Sequence, residues 1–336
     1  MERRSVIQDT SPLPSRQDAG HPAVSFAYER CARLDSFTPQ GRKPLQWGGT
    51  LLVPHGPLLK PAPGPSPKLK VHHSRSTSRF SRLTLGILAD TKEALPATLK
   101  QLEEAVRQFR RAKVSAVVVL GGIDSTYEGI RTVLTHLQGA EPILALPGDR
   151  ESRSGFQAAV GALGPMAVDL SQVRGMVVPG TSFIAVPGYY RHHHLFAREQ
   201  GCSYDADDIR LLIPMARQLP APRILLSHGP PKGSGVQATD RAFGGVNIGD
   251  PLLRRLMQDA EIRFGFFAHV QEAAGHATTL AGRPVGEMEW SDSLLLNVGA
   301  ADSVPHENLA GAWSKGTAAV VELRREKARY RMVHFH

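Results

Sequence analysis

The sequence is short of the features that usually fix a protein's setting. Its 336 residues hold two cysteines, Cys31 and Cys202. Two thiols make neither a disulfide framework nor a zinc cluster, which points to a reducing compartment with Cys202 an ordinary thiol. No apolar run approaches the ~20 residues needed to span a bilayer. The basic N-terminus, MERRSVIQDTSPLPS, is followed by no apolar core of a signal peptide. The expectation is a cytoplasmic protein without a membrane span. Aromatic residues are 6% of the chain, and none is interleaved with a dense Lys/Arg run in the N-terminal region. Nucleic acid is therefore a minor candidate partner. Internal repeats are absent as well.

What is present begins with charge, and the charge is uneven. The formal net charge is +9, but residues 1–79 hold 12 Lys/Arg against 5 Asp/Glu, a net of +7, leaving +2 for the rest. The basicity belongs to a tail. Six prolines fall between Pro54 and Pro67, which predicts an extended, semi-rigid stretch. A polar Ser/Arg-rich joint, HHSRSTSRFS, follows. Residues 1–79 read as a basic, Pro-rich, largely disordered or extended tail available to a protein partner. Within it PLQWGGTLLVPHG (44–56) has an apolar run that suits docking on the folded part or on a partner. The folded domain is expected over 80–336.

From Leu83 onward the pattern alternates. LTLGILAD (83–90), VSAVVVLGGID (114–124) and PILALPG read as buried strands, near-continuous in apolar residues and closed by acids or glycines. Between them Leu95, Leu99, Leu102, Val106 and Phe109 recur at helical spacing, and residues 128–138 and those after Ser152 are helix-like. The second half continues with strands in GMVVPGTSFIAVPGY, RILLSHGPP, IRFGFFAHVQ and SLLLNVGA, and helices over 205–218 and 250–260. TAAVVELRREKARYRMVHFH closes as a hairpin. Alternation of this kind predicts an α/β sheet protein.

In open α/β sheets, ligands gather where strands end. The residues just past successive strands are Asp90, then Gly121 and Gly122 with Asp124, then Asp149 and Arg150, then His228, then His269. A strand-end Asp alone often caps a helix, and a lone His is usually a satisfied side chain. The ordered set resembles the calcineurin-like metallophosphoesterase superfamily over most of residues 83–336. That family's blocks run D-x-H, G-D, G-N-H-[DE], a His, then G-H-x-H. Here they stand as ADTK (89–92, with Asp90, Thr91 and Lys92), GGID (121–124), PGDRE (147–151), SHGPP with His228, and AHVQ with His269 and Gln271, followed by LLLNVGA. The resemblance implies a four-layer αββα sandwich of two mixed sheets and a site for two metal ions that clamp a phosphoester.

Departures from the family's pattern carry the functional expectation. Gly122 stands where the family has the Asp that bridges the two ions. Lys92 replaces the first block's His and Gln271 the last one, so Asp90 is a vestigial ligand of an empty first site. The second set is better kept: His228 and His269, with Asp149 in place of an Asn, make a two-His, one-carboxylate arrangement for a single ion such as Mn, Fe or Zn. Asp124 is a further candidate ligand if its loop turns inward. Arg150 takes the position of the family's catalytic His, and a guanidinium stays charged where a proton must be exchanged.

Lys92, Arg150 and Lys232, the last in a His-x-Pro-Pro loop like one that lines the family's site, are candidate phosphate ligands. Alternatively Lys92 pairs with Asp90, and Arg150 with Asp149 or Glu151, in a metal-free salt-bridge cluster. YYRHHH (189–194) reads as a surface loop away from the blocks. The resemblance thus implies either a non-catalytic binding or scaffolding module with no metal or one, or a phosphodiesterase or phosphatase working with one ion at His228, His269 and Asp149.

Overall fold

Apolar runs too continuous for a sheet with one wet face end up covered on both faces. The computed structural model describes residues 42–44, 50–52, 82–139, 141–190 and 201–335. Two sheets lie face to face. The six-stranded one contains β3 (Leu83–Leu88), β4 (Ala116–Val119), β5 (Ile143–Ala145), β6 (Ala167–Asp169), β15 (Thr317–Arg324) and β16 (Lys327–His334), in the order β16-β15-β3-β4-β5-β6. β3 to β6 run parallel, and the terminal hairpin adds antiparallel to β3.

The eight-stranded sheet has the order β1-β2-β7-β8-β9-β10-β12-β11. Its parallel centre is β8 (Thr181–Val186), β9 (Arg223–Ser227), β10 (Phe264–Phe267) and β12 (Leu294–Asn297). Antiparallel flanks are β7 (Gly175–Val178) and β11 (Ala277–Thr278). The other flank comes from within the predicted tail: β1 (Arg42–Pro44) and β2 (Thr50–Leu52) form a short antiparallel pair, and β2 is hydrogen-bonded along β7. These six residues are part of the folded sheet, so the boundary expected at 79/80 does not separate them from the domain. The rest of the predicted tail lies outside the described residues.

Helices complete the layers. α1 (Pro96–Ala112), α2 (Tyr127–His136) and α3 (Arg153–Gly161) cover one sheet; α4 (Ala206–Gln218) and α5 (Pro251–Asp259) cover the other. Leu85, Ile87, Val118 and Leu144 meet Phe183, Ile224, Phe264 and Leu296 between the sheets. The two outer cores lie under the helices. This is the α/β architecture that the strand–helix alternation predicts, in the four-layer sandwich that the resemblance implies.

The local sequence sets the helix ends. α1 starts at Pro96, whose fixed φ suits a first helical position; the residue before a proline is pushed to an extended conformation, so Leu95 has ψ 145° and stays outside the helix. The buried stripe is therefore Thr98, Leu102, Ala105, Val106 and Phe109, shifted from the spacing that began at Leu95. Thr126, Ser152 and Asp205 accept backbone N–H bonds at the starts of α2, α3 and α4. Among the described residues no helix is long and apolar enough to cross a membrane. Cys202 is fully buried and disulfide-bonded, which corrects its reading as an ordinary thiol. The one other cysteine of the sequence, Cys31, lies outside the described residues.

Candidate metal and phosphate site

Five parallel strands deliver their following loops to one place. Asp90 follows β3, Gly121 and Gly122 follow β4, Asp149 follows β5, His228 follows β9 and His269 follows β10. Backbone bonds lock the loops together: Asp90 N–H to Gly121 O at 2.9 Å, Lys92 N–H to Gly122 O at 2.8 Å and Ala268 N–H to His228 O at 2.9 Å. Asp90, Lys92 and His269 all have left-handed backbones, with φ of 51°, 58° and 67°. Non-glycine residues there cost of order 1–2 kcal/mol each. Such outliers collect at functional sites, where the surrounding structure holds them in place.

His228, Asp149 and His269 form the centre. His228 is fully buried, and its Nδ1 lies 2.8 Å from Leu120 O. Donation to that carbonyl fixes the ring and turns Nε2 inward, as in second-shell support of a ligating imidazole. Nε2 lies 3.0 Å from Asp149 Oδ1 and 3.1 Å from His269 Nδ1. The other Asp149 oxygen is 3.8 Å from His269 Nδ1. One ligand atom from each residue lies within 4.8 Å of the others. Asp149 Oδ1 is shielded from solvent, and its 3.0 Å contact with His228 Nε2 is the closest polar approach within the group. A carboxylate with one oxygen toward each of two imidazoles is a donor set that fits one divalent ion.

Charge coupling within the group is strong. Burial alone would lower the His228 pKa, but Asp90, Asp149 and Glu151 outweigh it and push it to about 10. Burial would raise Asp149, yet its contact with His228 and the charges of both histidines hold it at about 2. Asp90 is pushed up to about 6 by burial, against the pull of His228 and with a further push from Asp149. Without a metal, a proton on His228 supplies the positive charge that the two acids require.

The neighbouring position is differently filled. Gly122 has φ +67°, and a Cβ there would overlap Asp90 Oδ1. Asp90 has thus moved into the room a side chain at 122 would use, and its Oδ2 accepts the His269 N–H at 2.9 Å. Lys92 does not pair with Asp90: its Nζ lies 2.8 Å from Asp302 Oδ2 and 3.0 Å from Gln271 Oε1. Asp302, five residues past β12, was not among the sequence candidates. The signal for it was an acid shortly after LLLNVGA, at one more strand end.

The remaining candidates sort by distance from this centre. Asp124 is turned away from it: its carboxylate accepts from Thr126 N–H and Oγ1, both at 2.9 Å, and from Ala94 N–H at 3.1 Å. Its chemistry is that of a loop brace, and the inward bend that would make it a ligand does not occur. Both oxygens of the fully buried Glu151 take backbone N–H groups, those of Ile123 and Gly148. Arg150 is half-buried beside Asp149, and Lys232 is exposed.

Tyr189, expected in a surface loop, is buried, with its ring centroid 4.3 Å from that of His269. Burial of this Tyr was hidden by the polar HHH that follows it. Residues 191–194 of the same tract lie outside the described residues.

No family model matches the sequence, and no curated protein matches it. Solved structures do. The chain is similar to TT1561 of Thermus thermophilus at 13% identity and a TM-score of 0.51, covering 74% of this chain and 98% of that one. It is also similar to a dimetal phosphatase from Danio rerio (13% identity, TM-score 0.45, 76% of this chain and 99% of that one). A purple acid phosphatase from yellow lupin seeds gives 12% identity and a TM-score of 0.49, over 75% of this chain and 51% of that one. At such identities the likeness is one of fold.

Proposed function

We propose that this chain, which has the metallophosphoesterase fold, is a phosphate-binding module that holds one divalent cation and has lost the two-ion hydrolytic reaction. Asp149, His228 and His269 would hold the ion, which would supply Lewis-acid attraction for a phosphate oxygen. Lys92 and Arg150 would contribute fixed positive charge beside it, and Lys232 a third cation at the rim. The observation that carries the reading is the position of Asp90. Its carboxylate fills the space of a side chain at 122, so no bridging acid fits there, and the Lys92 ammonium, tied to Asp302 and Gln271, takes the charge of a second ion. Arg150 cannot hand a proton to a leaving group at neutral pH. Residues 1–79, with net +7, are proposed to engage an acidic protein partner.

The test is metal content combined with turnover. Protein loaded with Mn, Fe or Zn and desalted should retain one ion per chain by mass spectrometry, lost in His228→Ala and in Asp149→Ala, with no metal-stimulated hydrolysis of a model phosphodiester. Two ions per chain would sink the proposal. A second reading, a one-ion phosphoesterase, is favoured by one feature: three protein ligands leave a coordination position open, as in catalytic sites. Metal-stimulated turnover with a single bound ion would select it.

A further inference from the structure

A basic cleft lies at the other end of the six-stranded sheet, where β3 begins rather than ends. It has a volume of about 550 Å³ and is lined by Arg82, Arg111, Lys113, Arg329 and Arg331 with one acid, Glu322. Arg82 and Thr84 of this wall are separated from Asp90 by the length of β3, about 20 Å at ~3.3 Å per residue.

The cleft follows from topology. Glu322 pairs with Arg329, and Val320 with Arg331, across the β15–β16 hairpin, so alternate residues place these side chains on one face. That face is the one α1 covers, and α1 ends over it with Arg110 and Arg111 in its last turn and Lys113 as its left-handed cap.

The charges do not cancel. Glu322 is shared by Arg82, at 2.8 Å, and by Arg329, whose Nη2 lies 3.1 Å from both carboxylate oxygens. Among the described residues no carboxylate lies within salt-bridge distance of Arg111, Lys113 or Arg331. Arg329 Nε is shielded from solvent and has no acceptor. The Arg329 guanidinium also lies 4.6 Å over the Trp290 ring, which holds it in place at the cleft wall. Five cations against one acid leave a net charge of +4 around a hollow the size of a small-molecule site.

From these observations we infer that the cleft binds a small molecule carrying a polyphosphate group. Three or four negative charges in a compact chain match the count and spread of the cations, and guanidinium groups bind phosphate oxygens in pairs. Recognition rests on the phosphates: the aromatic residue of the wall, Tyr330, is buried in the core between the two sheets, its single O–H shared between Val285 O and Gly275 O, so its ring is not open to stack on a base. The site is independent of the metal centre.

Isothermal titration of the metal-free full-length protein, in which the ion-dependent phosphate site of the metal centre is not formed, with inorganic tripolyphosphate at about 0.15 M salt tests the assignment. A 1:1 complex in the micromolar range is expected, weakened roughly 30-fold or more in Arg111→Ala/Arg331→Ala, since each charge-assisted contact is worth about tenfold or more. Both positions are exposed, and an unchanged unfolding midpoint will show that the variant folds. Arg255→Ala, an exposed cation on α5 over the other sheet, should leave the affinity unchanged.

Absence of saturable binding overturns the inference, as does binding that survives the double substitution. Affinity lost in Lys92→Ala instead would move the anion to the metal centre, which also overturns it. So does binding of single-stranded RNA by a protein that ignores tripolyphosphate.

Discussion

At the scale of single residues, the site turns on Gly122. Its left-handed backbone and the Asp90 carboxylate together leave no room for a Cβ. Gly122→Asp, which restores the family's bridging acid in name, should therefore destabilise the protein by at least about 1–2 kcal/mol from backbone strain alone. It should also fail to add a second metal ion. Pairing it with Asp90→Ala should recover part of the loss, a coupling that a double-mutant cycle in urea will measure. Additive losses would mean that the two side chains do not compete.

The second residue-scale prediction concerns pH. His228 is raised from 6.5 to about 10, so its contribution to stability is full below 6.5 and lost as pH rises toward 10. Asp90, raised from 3.8 to about 6, acts in the same direction at lower pH: its contribution is full below 3.8 and lost as pH rises to about 6, so the loss above 6.5 belongs to His228. Metal-free protein should thus lose stability between about pH 6.5 and 10, and His228→Gln should flatten that slope. An equal slope in the variant would show that the charge lies elsewhere. Metal must displace the His228 proton, so its affinity should rise by about tenfold per pH unit near neutrality.

At the scale of elements, the strand ends are held by Glu151, which the sequence offered only as a partner for Arg150. Glu151 receives the Ile123 and Gly148 N–H groups and so ties the loop after β5 to the loop after β4. Glu151→Ala leaves two buried donors unsatisfied, at roughly 1–3 kcal/mol each. Chemical denaturation should show a loss of that size, and metal affinity should fall with it because Asp149 sits two residues away. A change within about 0.5 kcal/mol would mean that water replaces the carboxylate.

The elements themselves could be read from periodicity, since the apolar runs of β3, β4, β9 and β10 are long and uninterrupted. The short strands β6, β11, β13 (His306–Glu307) and β14 (Trp313–Ser314) could not. Two or three residues carry no period, and only their neighbours in space define them.

At the scale of the whole molecule, the resemblance gave the sandwich and the rim where the site sits, because strand-end residues fall in a fixed order along the chain. The partners in the polar network were not readable in that way. Lys92–Asp302 spans 210 positions and joins loops from the two stacked sheets, while Tyr189–His269 spans 80 and depends on the order of β8, β9 and β10 within one sheet. The tail is the other surprise, since β2 covers the edge of β7. A bare strand edge is a template for pairing with another chain. A chain beginning at residue 80, lacking β1 and β2, should self-associate more than the full-length protein in light scattering at matched concentration. Identical mass for the two would mean that the hairpin protects nothing.

The most direct measurement is the low-temperature electron paramagnetic resonance spectrum of the Mn²⁺-loaded protein. A lone ion at Asp149, His228 and His269, with Lys92 standing in for its neighbour, gives the hyperfine pattern of an isolated Mn²⁺. An exchange-coupled signal from a bridged pair would contradict the account at its root.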